Sequence, residues 1–220
     1  MSRRFDLLIL DLDGTLVDSE ALLVGLVLQT LADHDHAPAP AGAIAAAIGL
    51  PLPEVFRRAV PGVHPDRVDR LCADYRRRAD AMDFVRQFRL FAEVADTLAA
   101  LHAGGARLVV ATSKGRATTL DILAHCAIDA SIDAVIGGDC VTHGKPHPEM
   151  VERARELFPS TAPRTLMVGD TSFDIEMGQA AGVATCAVTY GTHGGEALRQ
   201  LRPDYLIDRF AALRAVVGVP

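Results

Sequence analysis

Short, mostly apolar runs alternate with longer stretches of helical periodicity through most of this chain. The run 7–10 reads Leu-Leu-Ile-Leu and ends on an aspartate. Comparable runs occupy 107–111, 134–136, 165–168, 184–188 and 205–207. A brief apolar run closed by turn residues reads as a strand buried on both faces. Between the later runs, apolar residues recur every three or four positions. That spacing predicts helices near 92–103, 116–126, 147–158, 173–181 and 209–217. Gly104 and Gly105 supply a helix stop just before the run at 107. Buried strands alternating with helices predict an α/β fold, a parallel sheet core with helices on both faces.

The segment 17–87 reads differently. It holds no convincing strand, and Leu22, Leu23, Leu26 and Val27, then Val55, Phe56 and Ala59, recur at helical spacing. A turn region is expected at 37–42, where proline and glycine cluster. The expected division is a core made of 1–16 and 88–220, with an inserted α-helical cap at 17–87. A helical insertion directly behind the first strand is placed to act as a lid over the strand ends.

Composition narrows the partners. The chain has 220 residues, is half apolar and carries a net charge of −6 with both signs interspersed. No basic face for nucleic acid is evident. Arg76, Arg77 and Arg78 read as a solvated helix face, with attraction of an anionic substrate as the less favoured reading. Cys72, Cys126, Cys140 and Cys186 are irregularly spaced and fit reduced thiols better than a disulfide frame or zinc site. The first residues show no signal-peptide pattern, and the apolar stretches 21–28 and 41–50 are too short to span a bilayer. The expectation is a soluble cytoplasmic protein without a membrane or nucleic-acid partner, as a monomer or homodimer. His34 and His36 lack an evident third ligand and read as a solvated loop.

The chemistry concentrates where the apolar runs end. Asp11 and Asp13 follow the first run and precede Gly14 and Thr15. Two carboxylates at a strand's carboxyl end can divide labour, one attacking and one handling protons. Thr112 and Ser113 close the run at 107–111, where hydroxyls and helix amides suit phosphate oxygens, or a helix cap. Lys145 precedes Pro146, which suits a helix start and restricts the lysine backbone. Its ammonium is fit to neutralise a phosphate, though such a lysine alone reads as a surface residue. His143 and His147 flank it without an assigned role. Asp170 ends the run at 165–168, with Asp174 a helical turn later; such carboxylates hold a hard cation, or cap a helix.

These four stretches, in this order at successive strand ends, resemble the haloacid dehalogenase superfamily of phosphatases. The resemblance spans Asp11 to Asp174, and the ending Tyr190 to Gly195, then Pro203 to Asp208, is similar to the phosphoglycolate phosphatase branch. It implies a Rossmann-like core, a helical cap at 17–87, and a small phosphorylated metabolite as substrate. It also implies Asp11 as the nucleophile that forms an aspartyl-phosphate, and Asp13 as the acid and then the base. Thr112, Ser113 and Lys145 would bind the phosphoryl group. Mg²⁺ would be held by Asp11, Asp13 (through its backbone carbonyl), Asp170 and Asp174.

Subfamily details favour a phosphatase. The superfamily's dehalogenases lack the second aspartate of the first motif, and here Asp13 is present. β-Phosphoglucomutases usually carry a histidine where this chain has Leu23. The phosphonate hydrolases use a cap lysine, and 17–87 contains none. A phosphomutase and a pyrophosphatase stand as alternatives. A non-catalytic binding protein ranks last, because Asp11, Asp13, Lys145 and Asp170 are all intact.

Overall fold

The computed structural model describes residues 3–34 and 39–219. In chain order the elements are β1 (Leu7–Leu10), β2 (Val17–Asp18), α1 (Glu20–Asp33), α2 (Ala41–Ala45), α3 (Leu52–Ala59), α4 (Pro65–Ala81) and β3 (Arg89–Leu90). They continue with α5 (Val94–Ala103), β4 (Arg107–Ala111), α6 (Arg116–His125), β5 (Ala134–Ile136), α7 (Glu149–Leu157) and β6 (Thr165–Gly169). The chain finishes with α8 (Ser172–Ala180), β7 (Ala184–Val188), α9 (Gly195–Gln200), β8 (Tyr205–Ile207) and α10 (Leu213–Val217).

Six strands form a parallel sheet in the order β5-β4-β1-β6-β7-β8. This is the Rossmann-like arrangement expected from the sequence. β1 lies between β4 and β6, with Leu7 paired to Arg107 on one side and Thr165 on the other. Successive side chains of β1 leave the sheet on opposite faces. Leu8 and Leu10 join a cluster with Leu98 and Leu101 of α5, Ile122 of α6 and Leu213 of α10. Leu7 and Ile9 join a second cluster with Met150 and Val151 of α7 and Met177 of α8. All four β1 side chains are buried, each contributing about 1.5–3 kcal/mol. The unbroken apolar run is therefore the signature of a strand with helices on both sides.

The segment leaving β1 contains α1 to α4. Its apolar faces, including Leu26, Leu31, Phe56, Val68 and Leu71, are continuous with the first cluster. The expectation of no strand within 17–87 needs one correction: Val17 and Asp18 pair antiparallel with Leu90 and Arg89. This two-residue ladder ties the chain's exit into the helices to its return. A strand so short has no periodicity to read. His36 and part of the expected turn at 37–42 lie outside the described residues. His34 is half-buried and pairs with Asp74 of α4, so it is not a solvated loop residue. None of the four cysteines is in a disulfide. Among the described residues no helix is long and apolar enough to cross a membrane.

Candidate active site

The sheet order explains how residues distant in sequence meet. β4, β1 and β6 are neighbours, and the residues just beyond their carboxyl ends are Thr112, Asp11 and Asp170. Connections from these strands run to opposite sides of the sheet. Such a switch point opens a crevice at the carboxyl ends. The β5–α7 connection brings Lys145 into the same place, and its ammonium donates to Asp11 Oδ1 and, at 2.6 Å, to Asp174 Oδ1. Lys145 is only 2 % exposed, so it is not a surface lysine. The Lys145–Pro146 peptide is cis, and α7 starts at Glu149 rather than at the prolines.

Asp11, Asp170 and Asp174 are buried, and one carboxylate oxygen from each lies within 4.8 Å of the others. Burial pushes the Asp11 carboxyl well above the usual carboxylate range; Lys145 opposes this, and Asp174 and Asp170 add to it. Burial, then the Asp174 charge, pushes Asp170 up to about 7, against the Thr192 amide and Thr15 hydroxyl that bond it. Burial alone would strip charge from Lys145, but Asp11 and Asp174 outweigh it and hold its pKa above the usual lysine range. Asp11 Oδ2 is buried with no hydrogen-bond partner. An orphaned anionic oxygen among three carboxylates fits a hard divalent cation, which takes oxygen ligands. The donor set therefore fits Mg²⁺.

Close packing fixes these groups. Thr15 Oγ1 donates to Asp170 Oδ1 at 2.9 Å, and the Thr192 amide donates to Oδ2 at 2.7 Å. Gly14 has φ of +80°, and a Cβ there would lie 2.1 Å from Asp170 Oδ2. Only glycine both adopts that turn and clears the carboxylate. Asp174 Oδ2 accepts from the Thr171 amide at 3.0 Å and its hydroxyl at 2.7 Å. Thr171 is the residue that caps α8, which leaves Asp170 free of that duty.

Asp13 stands apart from the three carboxylates. Its Oδ1 accepts from Ser19 Oγ at 2.7 Å, and its Oδ2 lies 3.1 Å from Lys114 Nζ. The strand ends at Leu10, yet Asp11 and Asp13 line one cavity. Thr112 is buried and its Oγ1 accepts from the Lys114 amide at 3.2 Å. Ser113 turns its hydroxyl away to Gly49 O, at 2.6 Å, so its side chain is engaged with the helical segment. Neither residue caps α6, whose N-cap is Gly115.

Sequence reading missed several partners. Lys114 and Ser19 hold Asp13, and Thr15 holds Asp170. His193 accepts from the Ser172 amide at 3.0 Å through Nδ1, while its Nε2 lies 3.3 Å from Ala46 O. Glu149 accepts from the Thr142 and His143 amides at 2.9 and 2.8 Å, closing the loop that carries Lys145. A local signal existed only for Thr15, a polar residue inside the first motif's turn. Arg76 adds a change of reading: Arg77 and Arg78 pair with Asp74 and Asp33, whereas Arg76 lines the cavity.

The chain is 32% identical over 209 residues to "Pyrophosphatase PpaX" of Halalkalibacterium halodurans, covering 95% of each. It is 36% identical to "Probable phosphatase IndB" of Dickeya dadantii, covering 93% of this chain and 90% of that one. A crystal structure described as a predicted phosphoglycolate phosphatase from Haemophilus somnus superposes with a TM-score of 0.87 at 28% identity, covering 97% of this chain and 98% of that chain. The profile of the family described as Haloacid dehalogenase-like hydrolase matches residues 8–188, from β1 through β7. That span includes every strand end that delivers Asp11, Thr112, Lys145 and Asp170, and the chain belongs to the haloacid dehalogenase-like hydrolase family.

Proposed function

We propose that the protein is a Mg²⁺-dependent phosphatase that hydrolyses a small phosphate monoester through an aspartyl-phosphate on Asp11. The observation that carries this is Asp11 itself: one oxygen is held by Lys145 and the other is buried and unpartnered. A carboxylate oriented by one oxygen keeps the other for attack.

In this reading Asp11 Oδ2 attacks phosphorus, and the bond from phosphorus to the ester oxygen breaks. Asp13, steadied by Ser19 and Lys114, gives its proton to the departing oxygen. It then takes a proton from water, which attacks the aspartyl-phosphate and frees Asp11. Lys145 and the Thr112 hydroxyl meet the phosphoryl oxygens, where fixed donors stabilise charge in the transition state. Asp11, Asp170, Asp174 and the Asp13 carbonyl would hold Mg²⁺, which supplies positive charge against the repulsion between phosphate and carboxylate. Residues 17–87 act as a cap that closes on the crevice. The contacts of Gly49 with Ser113 and of Ala46 with His193 support that role. Four unpaired cysteines and a net charge of −6 fit a cytoplasmic enzyme that acts on a metabolite rather than a nucleic acid.

A pyrophosphatase is the second reading, favoured by the name of the Halalkalibacterium halodurans relative. The same attack with phosphate as leaving group needs no change at the strand ends. The mutase alternative loses ground, because Leu23 presents an apolar side chain to the cavity. The test is release of nitrophenol from p-nitrophenyl phosphate with Mg²⁺, by the wild type and by Asp11→Asn. Wild-type turnover with a loss on the order of 10⁴-fold in the variant is the expected result. An active Asp11→Asn would overturn the assignment.

A further inference from the structure

The cavity above Asp11 and Asp13 encloses about 340 Å³. One wall is apolar, made by Leu23 and Val27 of α1, Leu50, Val55 of α3, and Phe84; Tyr75 of α4, Ser113 and Thr118 also line the cavity. Lys114 lies at the base of this wall, but its ammonium is committed to Asp13 at 3.1 Å and sits 5.4 and 5.2 Å from the ring centres of Phe84 and Phe88. The outer end is polar. Arg76 and Asp80, one turn apart on α4, line it, and Arg76 has no ion-pair partner among the described residues.

From this lining we infer that the leaving group is an organic alcohol with an apolar body and a hydrogen-bonding far end, held between the α1–α3 wall and the Arg76–Asp80 pair. The inference rests on the phosphatase reading and narrows its substrate. Glycolate has no apolar body and would leave the wall uncovered. A second phosphate would bring its charge against those five apolar side chains. Burying a polar or charged group on such a surface is unfavourable, whereas each buried methylene is favourable. Arg76 and Asp80 then offer one donor and one acceptor to a group such as an amide or hydroxyl.

Binding of non-hydrolysable phosphonates to the Mg²⁺-loaded wild-type enzyme tests this by calorimetry. From methylphosphonate to pentylphosphonate, affinity should rise about fourfold per methylene. Pentylphosphonate should bind more tightly than imidodiphosphate. A terminal carboxamide on the pentyl chain should tighten binding at least about threefold, and the double variant Arg76→Met with Asp80→Ala should abolish that gain. Leu23→Asn should flatten the chain-length series while leaving methylphosphonate binding intact. A flat wild-type series, or tighter binding of imidodiphosphate, overturns the inference. The readout is binding, so its failure is separate from that of the phosphatase reading, which is judged by nitrophenol release.

Discussion

Lys145 Nζ donates to Asp174 Oδ1 across 2.6 Å, and neither side chain has any exposed surface. The other oxygen of Asp174 takes the amide and hydroxyl of Thr171. One carboxylate therefore joins the β5–α7 loop to the start of α8. The position of the ammonium beside Asp11 is set by that link, not by the proline-rich loop alone.

Lys145→Met keeps most of the unbranched side chain and removes the charge. Asp11, Asp170 and Asp174 then face one another without it. Removing one partner of a buried ion pair costs about 3–5 kcal/mol. In a chelator the variant should melt below the wild type, and the gap should narrow in acid, where Asp170, pushed up to about 7, takes a proton. Mg²⁺ should raise the variant's Tm more than the wild type's, since a bound cation replaces the lost charge. Scanning calorimetry with and without Mg²⁺ checks this. Equal melting in chelator would mean that the ammonium does not hold the carboxylates together.

Turnover of an aryl phosphate should stop on exhaustive chelation and return with Mg²⁺ but not with Ca²⁺. Three carboxylates converge within a small buried volume. Mg²⁺ accepts short, near-octahedral coordination, whereas Ca²⁺ seeks more ligands at longer distances and holds Asp11 less suitably for attack. Full activity in chelator would remove the metal from the reading.

The acid limb of stability should depend on Asp6. The Arg164 guanidinium, helped by Arg3, holds the Asp6 carboxyl down to about 2, with burial opposing. A carboxylate with a depressed folded-state pKa stabilises above its unfolded value, and loses that contribution as pH falls through its folded value. Asp6→Asn should therefore lower Tm at neutral pH, and the difference should shrink between about 4 and 2. Asp6 lies at the amino end of β1, opposite the strand end that carries Asp11, so aryl phosphate turnover should be unchanged. A Tm difference that persists at pH 2 would contradict the ion-pair account.

The six core strands were legible because each is a short apolar run covered by helices on both faces. Parallel neighbours bring their carboxyl ends together, so the motifs that close those runs were readable as one site. Lys114, Ser19 and His193 were not readable in their observed roles. Their partners, Asp13, Ser172 and Ala46, are set by the approach of loops in space, which spacing along the chain does not encode. The β2–β3 ladder escaped for a different reason, since two-residue strands carry no pattern. The cap alternative for Asp170 falls to its neighbour Thr171, because a cap residue and a metal-type carboxylate look alike at the end of a strand.

Asp13→Asn separates the two chemical steps. Asp13 acts first as acid and then as base in the proposed mechanism. An aryl phosphate with a good leaving group needs little help from an acid, but water still needs a base. The variant should phosphorylate Asp11 and release phosphate slowly. A burst of phenolate near one equivalent should appear, with an acid-labile phosphoenzyme. The Asp13 carboxylate bonds Ser19 and Lys114 and lies outside the Asp11, Asp170 and Asp174 group. Asparagine can still accept from Ser19, so the carboxylate cluster should keep its metal. Asp11→Asn should give neither burst nor phosphoenzyme. Rapid-quench kinetics and intact mass on both variants decide the matter. Equal slowing of both steps in Asp13→Asn, with no phosphoenzyme, would remove Asp13 as the base that completes the cycle.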